Sequence, residues 1–176
     1  ITGLKRSGKD VLAHYIHMKY GYKHVQVASA LKRAVKCLFS FQDEELEGDA
    51  KDAIHSKWKV SPRKIMDFVG TRVFQHELQE IIPHVGRTFW IQDLLEREKT
   101  NEIVISDVRF LHEQEILRKR PCVIIRVTRE NTSEDGLESE KESKMLDVDY
   151  TIKNDGSIKE LYSQCDDIMR AIIKRN

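Results

Sequence analysis

The sequence predicts an α/β fold of three layers, a parallel sheet flanked by helices, and three observations carry that prediction. A glycine-rich loop at residues 3–8 leads directly into a helical pattern. Two short β-branched runs, 103–106 and 122–127, are bounded by charge, as strands buried on both faces of a parallel sheet should be. Strand and helix patterns then alternate to the carboxyl end, the order that builds a covered parallel sheet.

Each element has its own local reason. A first helix is predicted from about 8 to 19, with Val11, Leu12, Tyr15 and Ile16 on one face. Tyr20-Gly21-Tyr22 ends it, and 24–28 alternates as a short strand. A helix follows over about 30–39, then a charged helical insert at 42–59, read as mobile or as surface-exposed. Ser61-Pro62 supplies an N-cap and a proline at the first helical position, and 86–98 reads as a further helix. Residues 109–120 form the crossover helix between the two apolar runs, and 149–152 is a last strand. Ser157 and Glu160 make a capping box, behind which Leu161, Cys165, Ile168, Met169 and Ile172 continue a helical stripe. The stretch from 129 to 145 has no apolar period; it reads as a solvated loop, or as a flexible flap near a nucleotide.

The length of 176 residues suits a single domain over 1–176, with a helical insert at about 42–98. Thirty basic residues nearly cancel twenty-nine acidic ones, so no global field points to nucleic acid or to a membrane surface. Cys37, Cys122 and Cys165 form no CxxC pair and fit free thiols in a reducing compartment. No signal peptide and no apolar run of membrane length stand out, so a cytoplasmic setting is expected. Ile1-Thr2-Gly3 opens directly on the loop, so strand residues are expected to precede it.

Gly3-Leu4-Lys5-Arg6-Ser7-Gly8-Lys9-Asp10 matches the phosphate-loop pattern GxxxxGK, with aspartate in place of Ser or Thr. The spacing has a physical purpose. Glycines let the backbone curl so that several N–H groups point inward, and the following helix adds its positive end. Lys9 can then reach the β- and γ-phosphates of ATP, and the fold becomes a P-loop NTPase fold. Asp10 can hold magnesium directly or through water, and Lys5 and Arg6 offset its added negative charge.

The run at 103–106 ends in Asp107, a carboxylate at the carboxyl end of a strand, where magnesium, its water or an acceptor oxygen would be held. Arg109 follows two residues later, and a planar guanidinium binds phosphoryl oxygens bidentately. In the helix after Pro62, Ile65, Phe68, Val69 and Val73 define an apolar face with Arg72 and His76 in its middle. A charge there must be paired or face a ligand. Arg63 lies in the first turn of that helix, placed to meet an acceptor phosphate. Trp90 is a core residue or a base-stacking platform. His14 and His17 have no carboxylate partners that would make a zinc site.

These residues resemble the deoxynucleoside monophosphate kinases of large DNA viruses and bacteriophages. The resemblance rests on the loop at 3–10, on Ala30-Leu31-Lys32, and on Ser61-Pro62-Arg63-Lys64 leading to Gly70-Thr71. It continues through Ser106-Asp107-Val108-Arg109-Phe110 with Glu113, and through 149–157 with its Asn154-Asp155-Gly156 turn. It implies phosphorylation of deoxynucleoside 5′-monophosphates by ATP with Mg2+. Lys9, Asp107 and Arg109 would be catalytic; Arg6, Ser7, Gly8, Lys9, Asp10, Val11, Asn154 and Gly156 would bind the ATP. Lys5, Leu31, Lys32, Arg63, Arg72, Trp90, Arg109, Phe110 and Glu113 would bind the acceptor, and the insert at 42–98 would be its platform. Asp10 and Asp107 would hold the metal. Relatives often have Thr where Val11 stands, so one hydroxyl contact to phosphate is missing here. The resemblance implies no nucleic acid or membrane partner, leaves homodimerisation open, and, for a viral protein, implies the host cytoplasm.

The mevalonate-phosphate kinases of animals are similar as well. They share the Ser-Gly-Lys-Asp loop and an acidic segment like Ser139-Glu140 before a strand end like Ile152-Lys153-Asn154. The Pro-Arg helix with Gly70-Thr71 favours nucleotides over an isoprenoid phosphate. A non-catalytic nucleotide-binding module is a third reading, and the pairing of Asp107 and Arg109 with the loop argues against it.

Overall fold

The β-branched runs form strands shorter than themselves, all parallel. In the computed structural model, which describes residues 1–100, 102–130, 132 and 136–174, the chain divides into two compact units. One comprises Ile1–Gln26 with Thr100–Asn176, the other Val27–Lys99. Residues 131 and 133–135, within the expected flap, lie outside the described ones.

In the first unit, β1 (Lys23–Val25) pairs with β2 (Ile103–Ile105), His24 lying opposite Val104. Likewise β3 (Ile125–Thr128) pairs with β4 (Tyr150–Lys153), Val127 lying opposite Ile152. Residues 1 and 2 join the two pairs. Ile1 N donates to Ile105 O at 2.6 Å, Thr2 N donates to Ile125 O at 2.9 Å, and Val127 N donates to Thr2 O at 2.9 Å. The spatial order is therefore β1, β2, residues 1–2, β3, β4. The chain leaves the middle of this sheet, builds one side, then crosses to the other. The loop at 3–10 thus sits at a topological switch point, beyond the carboxyl ends of the strands, where ligands of open α/β sheets bind.

Helix α1 (Lys9–Tyr20) starts at Gly8 and stops at Gly21, which has the left-handed φ of 78° that glycine tolerates. Its buried apolar stripe is Leu12, Ala13 and Ile16, while Val11, expected on that face, is exposed. Helix α7 (Ile158–Ile173) opens on the predicted box, Ser157 Oγ accepting from Glu160 N and Glu160 Oε2 accepting from Ser157 N. Leu161, Cys165, Ile168 and Met169 pack with the α1 stripe, Val104, Val127 and Ile152 into one core. Each large apolar side chain buried there contributes about 1.5–3 kcal/mol. Tyr15 and Tyr162 stack at 3.8 Å between ring centroids, and the Asp166 carboxylate accepts from Tyr15, Lys19 and Tyr20. These bonds fasten α1 to α7.

The crossover α5 (Leu111–Leu117) is shorter than the span 109–120. The unperiodic stretch contains a helix, α6 (Glu138–Met145), that the sequence reading missed. Its inner face is Ser139, Glu140 and Ser143, so burial here follows helical spacing without apolar residues. Arg126 holds its carboxyl end, donating to the carbonyls of Ser143, Lys144 and Leu146. A cation there also complements the helix dipole.

In the second unit, α2 (Ser29–Phe39) is followed by two short 3-10 turns, Glu44–Leu46 and Ala50–Asp52. This charged stretch is anchored by buried Leu46 rather than lying wholly on the surface. Ser61 caps α3 (Pro62–Asp67), which continues as a π-helix over Phe68–His76. Glu77 N donates to Arg72 O, five residues back, and the wider turn breaks the 100° spacing on which the apolar-stripe expectation rested. Arg72 and His76 are therefore exposed, not embedded. The helix α4 (Phe89–Arg97) brings Trp90 against Phe74 and Phe89.

Candidate active site

The loop at 3–10 turns on three residues with positive φ: Gly3 at 144°, Arg6 at 62° and Gly8 at 103°. Gly3 is required by space as well as by φ, since a Cβ would lie 2.2 Å from the Val127 carbonyl oxygen of the neighbouring strand. Ser7 N donates to Leu4 O and closes the turn at 3.2 Å. The buried Lys9 reaches back so that its ammonium donates to Leu4 O at 2.5 Å. From behind, Asn154 Nδ2 donates to Ser7 O at 2.8 Å, which fixes the loop to the turn after β4. Asp155 holds the start of the following segment of β3, accepting from Glu130 N at 2.6 Å.

The structure brings Asp10 to the end of β2. Ser106 Oγ donates to Asp10 Oδ1 at 2.8 Å, Gln26 Nε2 donates to the same oxygen at 3.3 Å, and His24 Nε2 lies 2.9 Å from Ser106 Oγ. No site role was expected for Ser106, His24 or Gln26. The signals were there in part: His24 and Gln26 are two apart on a strand, hence on one face, and Ser106 precedes Asp107.

Asp107 is partly exposed just beyond β2, and Val108 N is tied to Ile1 O at 3.2 Å. Glu113 is buried and turns back to accept from Arg109 N at 2.7 Å and Phe110 N at 3.1 Å. Burial pushes its carboxyl up to about 7, against the two N–H bonds that pull it down. Phe110 is buried and stacks with His112, so within this unit Glu113 and Phe110 shape the backbone around Arg109. A cavity of about 250 Å3 adjoins the loop, lined by Gly3, Leu4, Ser7, Thr128, Arg129 and Lys144 among others. Ser7 Oγ is buried there with no hydrogen-bond partner among the described residues.

The expected acceptor residues Leu31, Lys32, Arg63, Arg72 and Trp90 all belong to the second unit. Lys32 pairs with Glu47 at 2.8 Å, and Arg63 is forked onto both oxygens of Asp52. Arg72 pairs with Glu77 at 2.9 Å and lies over the Phe68 ring. Leu31 packs against Gly70, where an added Cβ would come within 2.5 Å of it. Trp90 donates from its indole to Gly70 O at 2.9 Å and is only 6% exposed, a core residue rather than an open stacking platform. Gly70 thus links Leu31 and Trp90, while Arg72 is exposed.

No group of three His, Cys, Asp or Glu among the described residues could hold a metal by itself. Magnesium in phosphoryl-transfer sites is held by one or two carboxylates together with phosphates and waters, and Asp10 beside the Ser106-Asp107 strand end fits that donor set. Among the described residues no helix is long and apolar enough to cross a membrane.

Comparison with known proteins identifies the architecture. Residues 40–165 match the family model of deoxynucleotide monophosphate kinase. A protein of Acanthamoeba polyphaga mimivirus named as a deoxynucleotide monophosphate kinase is 31% identical over 176 residues, covering 93% of this chain and 91% of its own length. The deoxynucleotide monophosphate kinase of Enterobacteria phage T4 is 26% identical over 158 residues, and the match spans 80% of this chain but 62% of the phage protein. Dephospho-CoA kinase from Campylobacter jejuni shares the fold, with a TM-score of 0.50 at 18% identity over 99% of this chain and 96% of its own. The chain belongs to the deoxynucleotide monophosphate kinase family.

Proposed function

We propose that this chain transfers the γ-phosphoryl group of ATP to the 5′-phosphate of a deoxynucleoside monophosphate, giving ADP and the diphosphate. The observation that carries this reading is the Lys9 ammonium folded onto Leu4 O inside a positive-φ loop at the switch point of a parallel sheet. A phosphate oxygen can replace the carbonyl as its partner, and the loop's N–H groups and the α1 terminus supply further donors.

The acceptor phosphate is already ionised, so the reaction needs no strong base; positioning and charge neutralisation carry it. Arg6 and Lys9 meet the donor phosphates, and Lys5 reaches from the same loop to the acceptor. Arg109 clamps phosphoryl oxygens, with Glu113 holding its backbone. Lys32 and Arg63 receive the acceptor phosphate, and Asn154 with Gly156 lies on the adenine side. Magnesium, held by Asp10 and Asp107, would offset the charge of the β- and γ-phosphates.

The test is an ADP-release assay with dTMP, dGMP, dCMP and phosphomevalonate as acceptors. ADP formed with at least one deoxynucleotide, and none with phosphomevalonate, is the expected result. Turnover of phosphomevalonate alone would move the substrate to an isoprenoid phosphate. ATP binding without ADP from any acceptor would reduce the chain to a binding module.

A further inference from the structure

Asp10 is the residue by which this phosphate loop departs from the GxxxxGK[ST] pattern, and it does not stand alone. It is exposed at the first turn of α1, yet one of its two oxygens is held by groups that directly follow two different strands, Gln26 after β1 and Ser106 after β2. Ser106 Oγ donates to Oδ1 at 2.8 Å across 96 residues of sequence, and Gln26 Nε2 adds a 3.3 Å bond to the same atom. Ser106 is fully buried. Its single proton is committed to Asp10, so His24 Nε2, 2.9 Å away, must donate to it. This fixes His24 as the tautomer that carries its proton on Nε2, and Gln26 Nε2 reinforces Ser106 from 3.4 Å.

A Ser or Thr hydroxyl at the end of a phosphate loop approaches the metal from a short, stiff side chain. A carboxylate on the same position has one more torsion and two equivalent oxygens. Without an anchor, either oxygen could face the metal, and the charge could swing toward the triphosphate. Anchoring Oδ1 removes that freedom and leaves Oδ2 as the oxygen directed to a cation. Partners of this kind, which hold a ligand rather than the metal, set the ligand's orientation and its basicity.

We propose that Ser106, held by His24, is a positioning residue for Asp10, and that this pair substitutes for the missing Ser or Thr of the loop. The inference rests on the reading of Asp10 as a ligand to a loop-bound magnesium ion. Three variants of the full chain separate the two: Asp10→Asn, Ser106→Ala and Ser106→Thr. For each, titration calorimetry measures ATP binding with magnesium and in EDTA, the magnesium concentration giving half-maximal ADP release is determined, and the melting temperature is recorded.

In Ser106→Ala the magnesium requirement should rise about tenfold, the usual effect of losing a group that orients a metal ligand. ATP affinity in EDTA should stay at the wild-type value, and Ser106→Thr, which keeps the hydroxyl, should restore the magnesium requirement. A Ser106→Ala chain with wild-type magnesium dependence, beside an Asp10→Asn chain whose dependence is shifted, overturns the positioning role alone. Unshifted dependence in Asp10→Asn removes the metal reading of Asp10 and the inference with it. An equal loss of ATP affinity with and without magnesium in Ser106→Ala, with a lowered melting temperature, makes Ser106 merely structural and also overturns the inference.

Discussion

Arg63 and Asp52 are locked together by two hydrogen bonds, the guanidinium forked over both carboxylate oxygens. Arg63 stands at the start of α3 with its side chain only 17% exposed, and Asp52 comes from the 3-10 turn, eleven residues earlier in the charged stretch. A carboxylate and a phosphate present oxygens to a guanidinium fork in the same way. Glu47 pairs with Lys32 through a single oxygen at 2.8 Å. The acidic stretch therefore supplies internal counterions to cations assigned to the acceptor.

If Arg63 receives the acceptor phosphate, as proposed, Asp52 competes with that phosphate for it. Replacing Asp52 with Asn should lower KM for the deoxynucleotide about threefold, since a partly exposed ion pair is worth up to about 1 kcal/mol. Initial-rate kinetics in the acceptor concentration measure it, with kcat little changed. A raised KM would mean that Asp52 aims Arg63 rather than competing for it.

Lys9 tests the donor loop. Its stem is buried, so Lys9→Met keeps the packing while removing the charge that donates to Leu4 O. Loss of one preorganised donor in the transition state should lower kcat about a hundredfold or more. Single-turnover rates, read beside a melting curve that stays near wild type, check this; unchanged turnover would remove Lys9 from the chemistry.

How much of this was readable in advance follows from how local each signal is. The phosphate loop, the Ser157 box and the Ser61-Pro62 start depend on residues within a few positions of one another, so their spacing carries them. The short parallel strands were visible because burial on both faces makes an apolar run, as at Ile103–Ile105. Helix α6 was invisible because its buried face is built of Ser139, Glu140 and Ser143, residues that fill space beside the Arg126 cap without an apolar period. The exposure of Arg72 was misjudged because the Phe68–His76 π-helix changes the angular step, and no residue there announces it. The bonds between Asp10, Ser106 and His24 depend on strand order, which spacing alone does not contain.

Glu113 should give the fold a pH dependence of definite sign. Its carboxyl sits at about 7 in the folded chain, raised by burial from an unfolded value of 4.5. Between these values the folded state binds the extra proton, so stability falls as pH rises. The contribution is fully present below about pH 4.5 and is lost through about pH 7. In Glu113→Gln the amide oxygen can still accept from Arg109 N and Phe110 N, but nothing titrates. The wild-type advantage over the variant in urea midpoint, measured from pH 4.5 to 8, should shrink as the pH rises to about 7. Identical slopes would assign the titration to another group.

Gly8 joins two separate demands, and a pair of substitutions can separate them. Its φ of 103° strains any L side chain, and a Cβ would lie 2.3 Å from Asn154 Nδ2. That amide can swing away only by giving up its bond to Ser7 O. Gly8→Ala should therefore destabilise by the backbone strain, about 1–3 kcal/mol, plus the lost hydrogen bond, about 1 kcal/mol. Adding Asn154→Ala removes the clash but not the strain. The double variant should cost less than the sum of the two single ones, because the bond to Ser7 O can be lost only once. Urea denaturation of the four proteins measures the coupling. Strict additivity would show that the clash is relieved elsewhere and that Asn154 does not restrain the loop at Gly8.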